Sequence, residues 1–400
     1  MQKVIPYGRQ NITAEDVEAV VDVLKSDFLT QGPQIEAFEL AFAKYIGCNY
    51  AVAVANGTAA LHLCALALNV KKGDKVITSP ITFSASANCI RYCDGDVVFA
   101  DIDPETYLLD INSVKSLLES SPKGTYKGII PVDFAGRGVD LEAFGKLAHE
   151  YGLWIIEDAC HAPGGFFTDS KNVQQNCGNG NFADLSIFSF HPVKHIASGE
   201  GGMITTNNPE LYKSLLKLRT HGITRNTVDF ENTLSFATGD KTITDGAAYP
   251  AWYMEMQQLG YNYRLTDFQA ALGISQLKRA DSGLMCRREI AKKYNDAFLA
   301  KKWIKSQSGF VNGHAYHLYI VEVNNRLGLY NYLREKNIFA QVHYIPVHLM
   351  PYYRNLGWQE GDFIHAEEYY RNCLSLPMYP TLTNEEQDFV IKSINDFYVE

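Results

Sequence analysis

The sequence predicts an α/β protein in which a mostly parallel seven-stranded sheet is sandwiched by helices and joined to a smaller α+β C-terminal domain. Three observations carry that expectation. Between about Ala51 and Thr206, short β-branched or aliphatic runs alternate with amphipathic helical patterns, the mark of a parallel sheet covered by helices. Past about residue 260 the order changes to two helical stretches followed by two strand candidates. A chain of 400 residues can also bury more than one core, so a division into 1–260 and 261–400 is expected.

In chain order the strand candidates are Ala51–Val54, Lys75–Thr78, Val97–Ala100, Gly128–Pro131, Trp154–Glu157, Leu185–Phe188 and Met203–Thr206. Several end in polar residues, and ligands of open α/β sheets sit outside the carboxyl ends of strands. The polar stretch from Thr168 to Asn181, rich in Asn, Gln and Gly, reads as a surface loop or insertion, and Thr224 to Pro250 as irregular. Leu265 to Ala280 and Leu284 to Leu299 read as helices. His317 to Val323 and Phe339 to His343 read as the strands of the smaller domain. No internal repeat and no low-complexity tract is visible.

Composition removes several classes of function. The hydrophobic and charged fractions, 46% and 20%, are those of a globular protein, and every apolar stretch is too short to span a bilayer. The opening Met1-Gln2-Lys3-Val4-Ile5-Pro6-Tyr7 lacks a long apolar segment, so the protein is expected to stay in the cytoplasm. A net charge of −9 without a basic run argues against nucleic acid as a partner. The cysteines Cys48, Cys64, Cys89, Cys93, Cys160, Cys177, Cys286 and Cys373 are scattered, with no CxxC pair, and read as buried free thiols.

Three motifs carry chemistry. Ala55-Asn56-Gly57-Thr58-Ala59-Ala60-Leu61 is a strand end followed by a helix start, where glycine lets backbone amides approach an anion and the helix dipole favours it. Taken alone, it is equally an ordinary strand-to-helix turn. Ile155-Ile156-Glu157-Asp158 ends a buried run on two carboxylates; Asp158 is the candidate partner of a pyridinium nitrogen, although an acidic strand end more often caps a helix or binds a metal. Phe188-Ser189-Phe190-His191-Pro192-Val193-Lys194 brings a lysine into the glycine-rich segment Gly199–Gly202, where desolvation lowers its pKa enough for imine formation. A solvated loop lysine is the commoner case for one Lys. Together an anion cup, a carboxylate and an amine make the parts of a pyridoxal phosphate (PLP) site.

At these residues the chain resembles the sugar-nucleotide aminotransferases of the DegT/StrS type, a branch of the fold-type I PLP enzymes. The resemblance also covers Phe83 in Ile81-Thr82-Phe83-Ser84-Ala85 and Gly260-Tyr261-Asn262-Tyr263-Arg264. It implies that Lys194 bonds the cofactor and shuttles protons, that Asp158 pairs with the ring nitrogen, and that Phe83 stacks on the ring. It places Gly57, Thr58, Ala59 and Ser189 on the phosphate, His161 near the ring hydroxyl, and Asn262 on the phosphate of a neighbouring subunit, which implies a homodimer. Within the family the likeness is greatest to transaminases of pseudaminic acid biosynthesis, which aminate a UDP-linked 4-keto-6-deoxy N-acetyl sugar with L-glutamate. The segments concerned are Ile5–Gln10, Ser26–Pro33, His191–Lys194 and Gln341–His348. Tyr7, Thr30, His191, Arg264, His317, His343 and Tyr344 are accordingly the candidate substrate contacts, with structural roles for the histidines about as common.

No metal is expected, since no two histidines form an HxxxH-type pair and the chemistry asks for none. The alternatives are an aminotransferase acting on a different nucleotide-linked keto sugar and a dehydratase of the same fold; Lys194 argues against the dehydratase, because relatives with that activity carry histidine there. His195 follows Lys194 and should point the other way along an extended segment. A PLP-sensing regulator lacks a basic DNA-binding module here, and a nicotinamide dehydrogenase would need a strand followed by GxGxxG.

Overall fold

All seven apolar runs become strands of one sheet: β1 Tyr50–Val54, β2 Lys75–Thr78, β3 Asp96–Phe99, β4 Tyr126–Ile130, β5 Trp154–Asp158, β6 Leu185–Ser189 and β7 Gly202–Thr206. Their spatial order is β1-β7-β6-β5-β4-β2-β3. This computed structural model describes residues 4–243, 247–307 and 311–399; Met1 to Lys3 of the N-terminal segment and 244–246 of the irregular stretch lie outside the described residues. Neighbouring strands run parallel except β7, which is antiparallel to both β1 and β6. Val52, Val54, Ile156, Leu185 and Ile187 are wholly buried, as strands covered on both faces require. Gly128 in β4 is needed by close packing, because a Cβ there would lie 2.2 Å from the ring of Trp154 in β5.

Local sequence explains where the helices start. Asn56 caps the helix Gly57–Ala67 by accepting a hydrogen bond from the Ala59 amide at 2.8 Å, and Asp140 does the same for Leu141–Tyr151 from Ala143 at 3.0 Å. Because these helices follow parallel strands, their N-termini and the strands' carboxyl ends gather on one rim. The helix Asp267–Leu277 packs against Ala14–Leu24 and Pro33–Ile46, and buried Asp16 receives hydrogen bonds from Gln276 (2.8 Å) and Arg279.

A second core surrounds the antiparallel sheet β8 Ile304–Ser306, β9 Tyr319–Val323 and β10 Cys373–Leu376, in that order. Val321, Leu374, Leu329, Leu333, Val390 and Ile394 are buried there beneath the helices Ala280–Phe298, Arg326–Glu335 and Asn384–Val399. The strand expected over Phe339 to His343 is corrected: Gln341 makes a single antiparallel bridge to Ser375, and Ile338–Phe339 pairs with Ile5–Pro6. Its partner is two residues long and Pro6 has no N–H to extend the ladder. The surface loop expected over Thr168 to Asn181 is also corrected. Phe166–Thr168 and Gln174–Asn176 form a hairpin, after which Cys177 is buried and the Gly178 amide donates to both oxygens of Glu157. Backbone pairing with a buried carboxylate, not side-chain polarity, decides the position of that segment. All eight cysteines are free, with Cys64, Cys89, Cys177 and Cys373 buried and the others partly so.

Burial also creates a titration handle away from the sheet rim. His314 accepts from the Tyr316 amide at Nδ1 (2.8 Å), so its Nε2–H donates to Gln307 (3.1 Å), and burial pushes its pKa down to about 3. In the unfolded chain a histidine takes up its proton near pH ~6.5. Between these values the unfolded state binds the extra proton, so stability present above that range is lost as the pH falls, by about 1.4 kcal/mol per pH unit. His314→Gln should therefore flatten the fall in unfolding free energy below about pH 6 by that slope. Denaturant melts across the range check it; parallel curves for the two proteins would count against it.

Candidate active site

Along the rim formed by the carboxyl ends of β1, β4, β5 and β6 lies a cavity of about 690 Å³. Asp158, the last residue of β5, projects into it, whereas Glu157 faces the opposite side of the sheet, as strand alternation demands. Glu157 is held there by Ser186 (2.6 Å) and the Gly178 amide, close to Asp133 and Cys177. Burial raises the proton affinity of both Asp133 and Glu157, which disfavours two adjacent anions there.

Asp158 is set by two donors. Ser86 Oγ donates to Oδ2 at 2.6 Å and the Cys160 amide donates to Oδ1 at 3.2 Å. Thr82 Oγ1 lies 2.8 Å from Ser86 Oγ, so a buried hydroxyl pair fixes the carboxylate from behind. Ser86→Ala should leave the carboxylate misoriented and lower turnover about tenfold, the effect of one charge-assisted hydrogen bond. The measurement is kcat with the cofactor saturating; an unchanged kcat would remove Ser86 from the site's support.

Lys194 follows β6 through a turn in which its amide donates to His191 O (2.8 Å). Its Nζ lies 3.5 Å from His317 Nε2. Burial lowers the Lys194 pKa, and nearby Cys160 and Asp158 only partly offset that. Around it stand His161, His317 and His343, each held well below its usual pKa by burial and by the lysine, and therefore neutral; His343 is pushed down to about 3. The Ala135 amide donates to His161 Nδ1 (3.2 Å), so His161 Nε2–H donates to the Tyr344 hydroxyl at 3.2 Å. The site thus keeps an amine in a shell of uncharged imidazoles, which favours its nucleophilic free-base form.

Opposite the amine sits the turn at the end of β1. The amides of Gly57 and Thr58 have no acceptor among the described residues and open the helix Gly57–Ala67. A Cβ on Gly57 would come within 3.2 Å of Ser189 Cβ, so glycine lets the amide turn and the Ser189 hydroxyl share one small concavity.

The cavity brings together Tyr7, Gly57, Thr58, Ala59, Phe83, Asp158, His161, Ser189, His191, Lys194, His317, His343 and Tyr344. Phe83 keeps 60% of its surface exposed and so offers an uncovered aromatic face. Three expected residues are not brought there within this chain: Thr30 bridges to Thr266, Arg264 to Val54 and Asn262 to Thr220. Backbone bridges fix all three, and none of them lines the cavity. His195 turns away, as expected, and its Nε2 meets the Ala315 carbonyl at 2.9 Å. Sequence reasoning missed Asn56, Ser86, Cys160 and Tyr263. Asn56 carried a cap signal ahead of Gly57, and the four-residue spacing of Thr82 and Ser86 was also readable.

The chain matches the DegT/DnrJ/EryC1/StrS aminotransferase family over residues 10–395. It is similar to the spore coat polysaccharide biosynthesis protein SpsC of Bacillus subtilis, at 37% identity over 98% of this chain and 96% of that one. Among solved structures it resembles PseC of Helicobacter pylori, an aminotransferase involved in the biosynthesis of pseudaminic acid, with a TM-score of 0.85 and 29% identity over 99% and 100% of the two chains. NtdA of Bacillus subtilis, solved with its cofactor PMP bound, gives 0.80 and 27% identity over 97% and 83%.

Proposed function

Because the chain belongs to the DegT/DnrJ/EryC1/StrS aminotransferase family, we propose that it moves the amino group of L-glutamate to a UDP-linked 4-keto-6-deoxy N-acetylhexosamine. The observation that carries the reading is that one cavity holds the Lys194 amine, the Asp158 carboxylate and the Gly57–Thr58 amides. PLP is the cofactor of this sugar aminotransferase, and the residues present fit it. Two amides without acceptors face a concavity that a Cβ on Gly57 would fill, which suits a phosphate. Asp158 uses one hydrogen bond on each oxygen and keeps lone pairs for a ring N–H. When bound, PLP supplies an aldehyde that bonds amines and a ring that accepts the electron pair left by a departing proton.

The chain's own residues do the rest. Lys194, whose ammonium form burial disfavours, would hold the cofactor and afterwards carry a proton between the reacting carbons. Asp158 keeps the proton on the ring nitrogen by its charge. His317, neutral and 3.5 Å from Nζ, takes a hydrogen bond from the amine and directs its lone pair. Tyr7, His191, His343 and Tyr344 also line the cavity and are the side chains offered to the sugar. Ser189 and Ala59 would complete the phosphate cup, and His161 and Phe83 would hold the ring.

A homodimer completes the site in this reading. Trp252, Met256 and Leu259, exposed by 72, 63 and 73%, precede Asn262 and Arg264 and form the apolar surface for a second copy. Thr30, Asn262 and Arg264 then serve the partner's cavity, and light scattering should give twice the mass of one chain. No described helix is long and apolar enough to cross a membrane. The deciding experiment for substrate is turnover of the PLP-loaded enzyme with glutamate and a panel of UDP- and dTDP-linked 4-keto sugars. Loss of the yellow colour on adding glutamate, followed by its return with a UDP-linked acceptor, is expected. A glutamate-insensitive spectrum, or return only with a dTDP sugar, sinks the substrate assignment.

A further inference from the structure

A second cavity, of about 250 Å³, adjoins the first, and among the described residues Lys194 alone lines both. Its wall carries three guanidinium groups, Arg9, Arg279 and Arg287, together with Gln10, Asn11, Gln276 and Ser282, and no carboxylate among the described residues. Arg279 is neutralised by buried Asp16. Arg287 is not: it is 1% exposed, its Nη1 donates to the carbonyls of Tyr316 (3.2 Å), His317 (3.3 Å) and Met378 (3.0 Å), and no carboxylate pairs with it among the described residues. Burial lowers its pKa to about 10, the cost of a charge with carbonyl dipoles but no counter-ion. Arg9 is likewise without an ion pair among the described residues. The cavity therefore has an excess of about two positive charges on its wall, in a protein whose net charge is −9.

We propose that this cavity is a binding site for a small oxyanion, a carboxylate or inorganic phosphate, with Arg9 and Arg287 as its charge partners. Planar guanidinium groups pair with such oxygens in fixed, bidentate geometry, and the amides of Gln10, Asn11 and Gln276 supply neutral polar groups around them. The volume admits phosphate or a short dicarboxylate and is below that of an ordinary cofactor or nucleotide pocket. Asn11 O already receives Gln276 Nε2 at 2.9 Å and Arg279 Nη2 at 3.3 Å, so this wall is built before any ligand arrives. The occupant would sit beside the residue that the proposed reaction uses as its base, so the local field at Lys194 depends on whether the site is filled.

The test is calorimetric titration of the PLP-loaded protein, whose phosphate cup is then already occupied, with inorganic phosphate and separately with glutarate, at ionic strength fixed with sodium chloride. Saturable binding of at least one probe is expected, and the probe that binds tells a phosphate source from a carboxylate source. Arg287 also ties three carbonyls together and its variants can fail to fold, so the variants are Arg9→Gln and Ser282→Asp, both at exposed positions. Each should weaken binding about tenfold, the loss of one charge-assisted contact or its repulsion, with cofactor content unchanged. Absence of saturable binding by both probes, or equal affinity in the wild type and both variants, overturns the proposal.

Discussion

Lys194→Ala is expected to lower turnover by at least ~10⁴-fold and to abolish the absorbance of covalently held cofactor. The same side chain is the attachment point and the proton carrier in the proposed mechanism, so no other group is placed to replace it. The imidazoles around it are neutral, held below their ordinary pKa by burial, and His317, at 3.5 Å, already faces the amine itself and not an open part of the cavity. Lys194→Arg should fail equally, because a guanidinium cannot be deprotonated in the working range. Folding should survive either change. The Lys194 ammonium is disfavoured by burial, so the alanine variant loses no strong ion pair and its Tm should hold or rise. Turnover near the wild-type value with a correctly folded variant would end the assignment of this residue.

The second large effect is expected from Asp158→Asn, a fall of about 10²- to 10³-fold in kcat with cofactor still bound. Asparagine preserves the size of the side chain, and with its one oxygen accepting from the Cys160 amide its NH2 group can donate to the Ser86 hydroxyl oxygen. What it loses is the negative charge that keeps a proton on the ring nitrogen, and an interaction of that kind matters most as charge develops in the transition state. The Gly57–Thr58 turn and Ser189 are untouched, so cofactor affinity should change far less than rate. A rate within a few-fold of the wild type, measured with cofactor content checked in the same samples, would take Asp158 out of the mechanism.

These two residues could be read from sequence because Asp158 ends a short apolar run and Lys194 closely follows one, and a parallel sheet gathers such ends on one rim. Phe83, His317, His343 and Tyr344 came from resemblance, since no periodicity or motif marks them as neighbours of Lys194. Ser86 is the instructive omission. In sequence it is one more serine in Thr82-Phe83-Ser84-Ala85-Ser86, and its importance comes from a hydrogen bond to a residue 72 positions away. Asn262, Thr30 and Arg264 show the opposite limit, for their motifs are plain while their own chain holds them outside the cavity.

By itself, the sequence determined the seven strands, the alternation that makes them a covered parallel sheet, and the acid and amine at its edge, because periodicity and local chemistry act over a few residues. Only the tertiary structure decided that the pairing would stop short of His343, which lines the cavity, that the polar stretch after Thr168 would bury its end against Glu157, and that three arginines would share a pocket behind Lys194. Those outcomes depend on partners tens to hundreds of residues distant, which short-range patterns do not encode.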